Sequence, residues 1–300
     1  MLKTLEIVGM HKKLSIHRGL IEITSDTGVE HVPIDDIHIV LCAGFGISYT
    51  HNFLVALGER TIPLILCNTH YFPTSIVLPF EAHGLQSKIQ KAQHSISVPK
   101  QKRLWQQLVK EKIRGHCYVL EECGIDTSLL KHYIDKVQSG DSTNIEGVAA
   151  STYWKLLFGI QFRRDQQGED IQNIMLNYSY TVLRASVARA LLSSGLHYAF
   201  GIYHSNARNS MPLVDDLMEP YRCFAERVVL EALAKGYTSL TKESKKILNR
   251  VTISEVTHEE GDSIVYECIK RTCVSLARVY LKEREDLVIQ NRPKKSIKII

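Results

Sequence analysis

Three short segments carry the residues best suited to chemistry: Asn144-Ile-Glu-Gly-Val-Ala-Ala-Ser-Thr-Tyr-Trp154, Gly201-Ile-Tyr-His204, and Leu213-Val-Asp-Asp-Leu-Met-Glu-Pro-Tyr-Arg222. On a helix, Glu146 shares a face with Ala149, Ala150 and Tyr153, and its small neighbours admit a close backbone or ligand. A glutamate in a helix's first turn also serves simply as a partner for the helix dipole. His204 sits between a short apolar run and a turn-like Ser-Asn-Ala-Arg-Asn, where a neutral imidazole ligates a metal or makes a structural hydrogen bond. His197 carries the same pair of readings in weaker company. Asp215, Asp216 and Glu219 lie three and four residues apart, so a helix crowds them onto one face. Their mutual repulsion is a cost that a bound cation removes, although acids at a helix start are the alternative. Two carboxylates and one imidazole, drawn from these three segments, form a donor set for Mg2+ or Mn2+, the nitrogen tilting it toward Mn2+. The sequence holds no GxxxxGK[ST] loop, no GxSxG elbow and no HExxH, so those three readings have no support.

The elements that must position these residues fall into two classes. Residues 1–80 read as short Ile-, Val- and Thr-rich strands (Thr4–Val8, Lys13–His17, Leu20–Thr24, Glu30–Pro33, His38–Leu41, Thr61–Leu66, Thr74–Leu78), with a short helix at Thr50–Glu59 capped by Thr50. From about residue 85 the apolar period changes from two to 3.6, predicting helices over Pro99–Cys123, Ile171–Ser194, Pro212–Lys235 (kinked or split at Pro220) and Ser263–Arg284. The expectation is an α+β chain: a β-rich, β-sandwich-like lobe over 1–82, a polar linker over 83–97 and an all-α lobe over 98–300.

Composition narrows the partners. The chain has 300 residues, 44% of them hydrophobic, enough to bury a real core. No apolar run is long enough to span a membrane, and the first residues do not look like a signal peptide. Seven cysteines without a CxxC pair predict reduced thiols and a cytoplasmic setting, not disulfides or a zinc finger. The net charge of +5 is unevenly spread, since residues 1–80 hold five basic and seven acidic side chains. The densest basic run is Lys88, Lys91, Lys100, Lys102, Arg103, Lys110, Lys112 and Arg114, opposed only by Glu111. It reads either as a stripe for the phosphates of double-stranded DNA or as a solvated helix face. Candidate DNA-binding residues are Lys100, Lys102, Arg103, Lys110, Arg163, Arg164 and Arg222, and the basic tail Arg292–Ile300 is a further candidate arm.

Taken together, the segments resemble the CRISPR-associated integrase/endonuclease, the catalytic subunit of the spacer-acquisition complex. The resemblance rests on Glu146-Gly147, Gly201-Ile-Tyr-His204 and Asp216-Leu-Met-Glu219-Pro-Tyr-Arg222 in that order. Leu157-Phe-Gly159, Phe162-Arg-Arg-Asp165, Asn177-Tyr-Ser-Tyr-Thr-Val-Leu183 and Leu78-Pro-Phe80 support it, and the flavour is that of the type II subgroup. The resemblance implies that Glu146, His204 and Glu219 hold the metal and that Asp216 is a ligand or lies just behind one. It implies transesterification, in which the 3′-OH of a short foreign DNA fragment attacks a phosphodiester at the edge of a repeat. It also implies a homodimer formed by the β lobe and a small ferredoxin-like companion subunit, with two integrase dimers per companion dimer. Some members carry Asp where Glu219 stands, and neither the family's aromatic wedge nor the last ten residues find a match. The competing readings are a stand-alone metal-dependent nuclease of DNA repair or recombination, and a non-enzymatic DNA-binding scaffold.

Overall fold

The computed structural model describes residues 3–68, 73–204, 206–259 and 261–294 and divides the chain into two units, Met1–Gly84 and Leu85–Ile300. In the first unit, runs that alternate in burial, as in β3, or are buried throughout, as in β5, build strands β1 (Lys3–Ile7), β2 (Lys13–His17), β3 (Leu20–Ser25), β4 (Gly28–Pro33), β5 (Ile37–Cys42), β6 (Ser48–Tyr49), β7 (Leu64–Cys67) and β8 (Pro73–Val77). One sheet runs β1-β5-β7-β8, parallel except for its last pair; the other runs β4-β3-β2-β6, antiparallel except for β2-β6. Helix α1 (His51–Glu59) follows β6, with Thr50 Oγ1 accepting the Phe53 N–H at 3.3 Å as its cap. Ile7, Val40 and Leu64 of the first sheet share a core with Leu14, Ile21 and Ile23 of the second and Phe53 of α1, the layering of a sandwich.

The second unit is a helical assembly around two long helices, α3 (Val98–Glu122) and α6 (Ile171–Ser193). Helices α4 (Ser128–Lys136), α5 (Ile145–Phe158) and α8 (Arg222–Ala234) pack on α3; α7 (Pro212–Met218), α8 and α10 (Val265–Tyr280) pack on α6. Helix α9 (Lys242–Leu248) starts with a capping box between Thr241 and Ser244. Pro220 divides the expected long helix: α7 stops at Met218, Glu219–Tyr221 form a 3-10 turn, and α8 begins at Arg222. Proline has no N–H for the helical ladder, so the chain tightens and turns there.

The structure adds elements that the sequence reading did not name, α4 and α9 among them. The polar stretch 83–97 holds helix α2 (Gln86–His94), which buries only Ile89 and Gln93, too narrow a stripe to register as a periodic signal. The helical unit also carries an antiparallel hairpin, β9 (Glu255–His258) with β10 (Gly261–Ile264), anchored by the fully buried Val256. All seven cysteines are unpaired, and no described helix is long and apolar enough to cross a membrane. The last six tail residues, 295–300, and Ser205 beside His204 lie outside the described residues.

Candidate metal centre

Glu146 stands in the first turn of α5, whose start is held by a residue not singled out above. Asp141 is buried, and its two carboxylate oxygens accept the Ile145 and Glu146 N–H groups at 2.9 Å each. This satisfies two donors that a helix start otherwise leaves open and fixes the backbone that carries Glu146. Asn144, at φ +53°, adds a bond to the Gly147 N–H, and a Cβ on Gly147 would lie 2.8 Å from Asn144 Oδ1.

Glu219 occupies the 3-10 turn before α8, with its side chain only 4% exposed. Its Oε1 lies 2.9 Å from Arg222 Nη2. Its Oε2 is 2.6 Å from Lys112 Nζ, but is sealed from solvent without an aligned hydrogen-bond donor. Lys112, from α3, also bonds Glu146 Oε1, so one buried ammonium joins the two carboxylates. Burial alone would push the Glu219 carboxyl up; Arg222 and Lys112 overcome it and hold the group at about 2. Burial would likewise lower the Lys112 ammonium, but Glu219 and Glu146 raise it above its ordinary value.

His204 arrives on the loop before α7. Its Nδ1 lies 2.6 Å from Asp216 Oδ1, and that bond, against partial burial, raises the imidazole's pKa. Asp216 is wholly buried and also accepts the N–H groups of Ile202 at 2.5 Å, Tyr203 at 3.1 Å and His204 at 3.2 Å. One carboxylate therefore sets both the loop backbone and the ring, leaving Nε2 as the nitrogen open to a metal. The tight wrap explains Gly201: a Cβ there would lie 2.5 Å from the His204 carbonyl oxygen and 3.0 Å from Asp216 Oδ2. Trp105 of α3 supports the loop, stacked on Tyr203 at 4.3 Å and edge-on to His204 at 5.6 Å between ring centroids. Gln93 holds its other end, bonding the backbone of His197 and Phe200.

Behind Glu219 lies a second buried layer. Glu226 accepts bonds from Tyr153 Oη at 2.5 Å and Tyr180 Oη at 2.8 Å. Burial raises its carboxyl despite those bonds. Arg222 lies over the Tyr180 ring at 4.9 Å, and His116, held neutral by burial and the nearby Lys112 charge, stacks on Tyr153 at 3.9 Å.

The remaining predicted residues take varied positions. Asp215 is bonded to Arg184 at 2.7 Å and Asn209 at 2.8 Å, so it braces the loop. Arg164 bonds Asn173 and Asn177, and Arg222 pairs with Glu219. Lys100 pairs with Glu285 at 2.6 Å, while Lys110 lines a surface pocket of about 200 Å3 with Gln107, Glu111, Arg114, Leu287 and Ile289. Lys102, Arg103 and Arg163 are exposed. Glu146 and Glu219 are thus joined through Lys112, and Glu219 and His204 act on one another electrostatically. Among the described residues no three His, Cys, Asp or Glu groups already converge as a metal cage. The donor set nevertheless fits a hard divalent cation, since it offers an oriented imidazole and two carboxylates, one of which has a buried oxygen lacking an aligned donor.

The family model for CRISPR associated protein Cas1 matches residues 5–260. The chain belongs to that family. A CRISPR-associated endonuclease Cas1 from Neisseria meningitidis is 35% identical over 226 residues, covering 75% of this chain and 74% of the relative. One from Francisella tularensis subsp. novicida is 23% identical over 276 residues, covering 84% and 85%. Among solved structures, a casposase bound to integration product superposes with a TM-score of 0.82 at 18% identity, covering 98% of this chain and 96% of that one. A Cas1 protein from Thermotoga maritima does so at 0.78 and 15% identity, covering 98% and 100%. The likeness in fold extends over both units.

Proposed function

We propose that this Cas1 family member is a metal-dependent DNA integrase of CRISPR adaptation, in the type II subgroup. Its reaction is transesterification: the 3′-OH of a foreign DNA fragment attacks a phosphodiester at the repeat boundary, one ester replacing another. Supporting the reading is the assembly of Glu146 and Glu219 around one buried cation, with His204 oriented alongside by Asp216.

Glu146, His204 and Glu219 are the residues to hold Mg2+ or Mn2+. A divalent ion bound there supplies Lewis acidity, lowering the nucleophile's pKa and offsetting charge on the phosphorane-like transition state. The chain's own part is positional. Asp216 fixes the imidazole's tautomer, Asp141 fixes the Glu146 backbone, and Arg222 keeps Glu219 ionised. The casposase in the comparison above is bound to an integration product, and a Cas6-RT-Cas1–Cas2 complex matches with a TM-score of 0.74. These favour DNA as substrate and a small Cas2-type companion as partner; the assembly we propose with them is a homodimer, two such dimers per companion dimer. The proposed setting is the cytoplasm.

The test is strand transfer of a fragment with free 3′-OH ends into a repeat-bearing duplex, with Mn2+. Glu146→Gln, His204→Asn and Glu219→Gln each lose product by more than the ~10–100-fold expected for an outer partner. Near-wild-type joining by any of the three removes that residue from the centre. Cleavage by the wild-type protein without joining assigns a hydrolase instead.

A further inference from the structure

We propose that Lys112 is a built-in counter-ion that holds Glu146 and Glu219 together before metal arrives and must yield when a divalent cation binds. The inference rests on the metal reading above.

The geometry is specific. Lys112 lies on α3 between the buried Val109 and Ile113 and is itself 8% exposed, unlike the exposed Lys88, Lys91 and Lys102 of its sequence run. Its ammonium bonds Glu146 Oε1 and approaches Glu219 Oε2 to 2.6 Å. A buried ammonium is tolerated only with such partners, and the carboxylates in turn repel one another without it. Lys112 and Arg222 together balance Glu146 and Glu219, so the group as it stands is neutral. A divalent ion added beside these four groups brings two further positive charges, which the Asp216 carboxylate behind His204 offsets only in part. Either the ammonium leaves the carboxylates or an anion joins the site. The anion the proposed reaction supplies is a DNA phosphate, so metal and DNA should load cooperatively, with Lys112 setting the penalty for metal alone.

The experiment is Mn2+ titration without DNA, read by the electron paramagnetic resonance of the free ion. It is run on the full chain as wild type, Lys112→Met and Glu146→Gln, with melting followed in EDTA and in Mn2+. Lys112→Met should bind Mn2+ tighter by about tenfold or more, since a like charge near the ion is gone. It should also melt lower than wild type in EDTA, gain more from Mn2+, and show less tightening when duplex DNA is added. If Lys112→Met does not fold, Lys112→Gln takes its place with the same expected tightening, and Lys112→Arg, which keeps the charge, should show none. Mn2+ binding lost in Glu146→Gln but unchanged or weakened in the neutral Lys112 variants overturns this inference alone. Absence of Mn2+ binding by the wild type and the neutral Lys112 variants alike, with and without duplex DNA, or binding unchanged in Glu146→Gln, overturns the metal reading with it.

Discussion

At the residue scale, the acids that crowd one another in sequence are separated by duty. Asp215 is spent on Arg184, Asp216 on a loop and an imidazole, and Glu219 on the two cations. The spacing identified the cluster, but only the fold apportions it, because Lys112 and Arg184 come from α3 and α6, far away in the chain. Lys112 shows the limit most clearly: inside a basic run it reads as one more solvated charge, although its place four residues after Leu108 sets it on the apolar face of α3. Asp216→Asn should weaken Mn2+ binding by roughly 10–100-fold, since the amide keeps one acceptor oxygen where the carboxylate has two and sets an NH2 against the N–H groups or the ring that Asp216 holds. Unchanged binding in a calorimetric titration would remove Asp216 as a positioning residue. Glu226 makes a pH prediction. Its carboxyl is raised by burial, so the folded state favours the protonated form. That contribution is full below the ordinary carboxylate pKa, near ~4.3, and is lost as pH rises through the raised value. Glu226→Gln has no such proton to lose, so relative to it the wild type should melt progressively lower as pH climbs from that range. The difference should grow by up to about 1.4 kcal/mol per pH unit within the titration window. Parallel melting curves across pH 4–8 would contradict it.

At the element scale, the strands of the first unit were legible because alternation there follows burial: β3 buries Ile21 and Ile23 and turns Glu22 and Thr24 away. The long helices α3 and α6 were legible from their 3.6 period, and Pro220 marked the break that presents Glu219. Helices α2, α4 and α9 escaped because seven to nine residues with one to three buried positions carry too little pattern. The start of α5 was also hidden, as its capping acid, Asp141, sits behind Gly140 at φ +74° and is itself at φ +48°, a geometry the letters do not announce. That cap gives the element-scale prediction. Asp141→Ala removes the acceptor for two helix-start N–H groups and should cost about 1–2 kcal/mol. Because the freed backbone carries Glu146, strand transfer should fall further than the stability loss accounts for. Melting at wild-type temperature, with full activity, would show that α5 does not depend on this cap.

At the scale of the whole molecule, the uneven charge noted in the sequence is redistributed by folding. Of the cations assigned there to DNA, Arg164 and Arg222 serve interior networks and Lys100 is paired with Glu285. Lys102, Arg103 and Arg163 remain exposed, with the first two on successive residues of α3. Net charge therefore overstates the phosphate-binding surface, and salt dependence measures how many phosphates are neutralised. Lys102→Glu with Arg103→Glu should weaken binding to any duplex sequence. The slope of log affinity against log salt should flatten by about 0.9 for each phosphate left without its cation. Melting should be nearly unchanged, because exposed charges contribute little to stability. Arg164→Ala should do the reverse. Arg164→Ala deletes its bonds to the buried Asn173 and the half-buried Asn177 and its stacking over Tyr180 at 5.2 Å. That change should cost about 1–3 kcal/mol while the salt slope stays at the wild-type value. A flattened slope in Arg164→Ala, with melting preserved, would place that guanidinium on the DNA instead and return it to the interface that its sequence neighbourhood suggested.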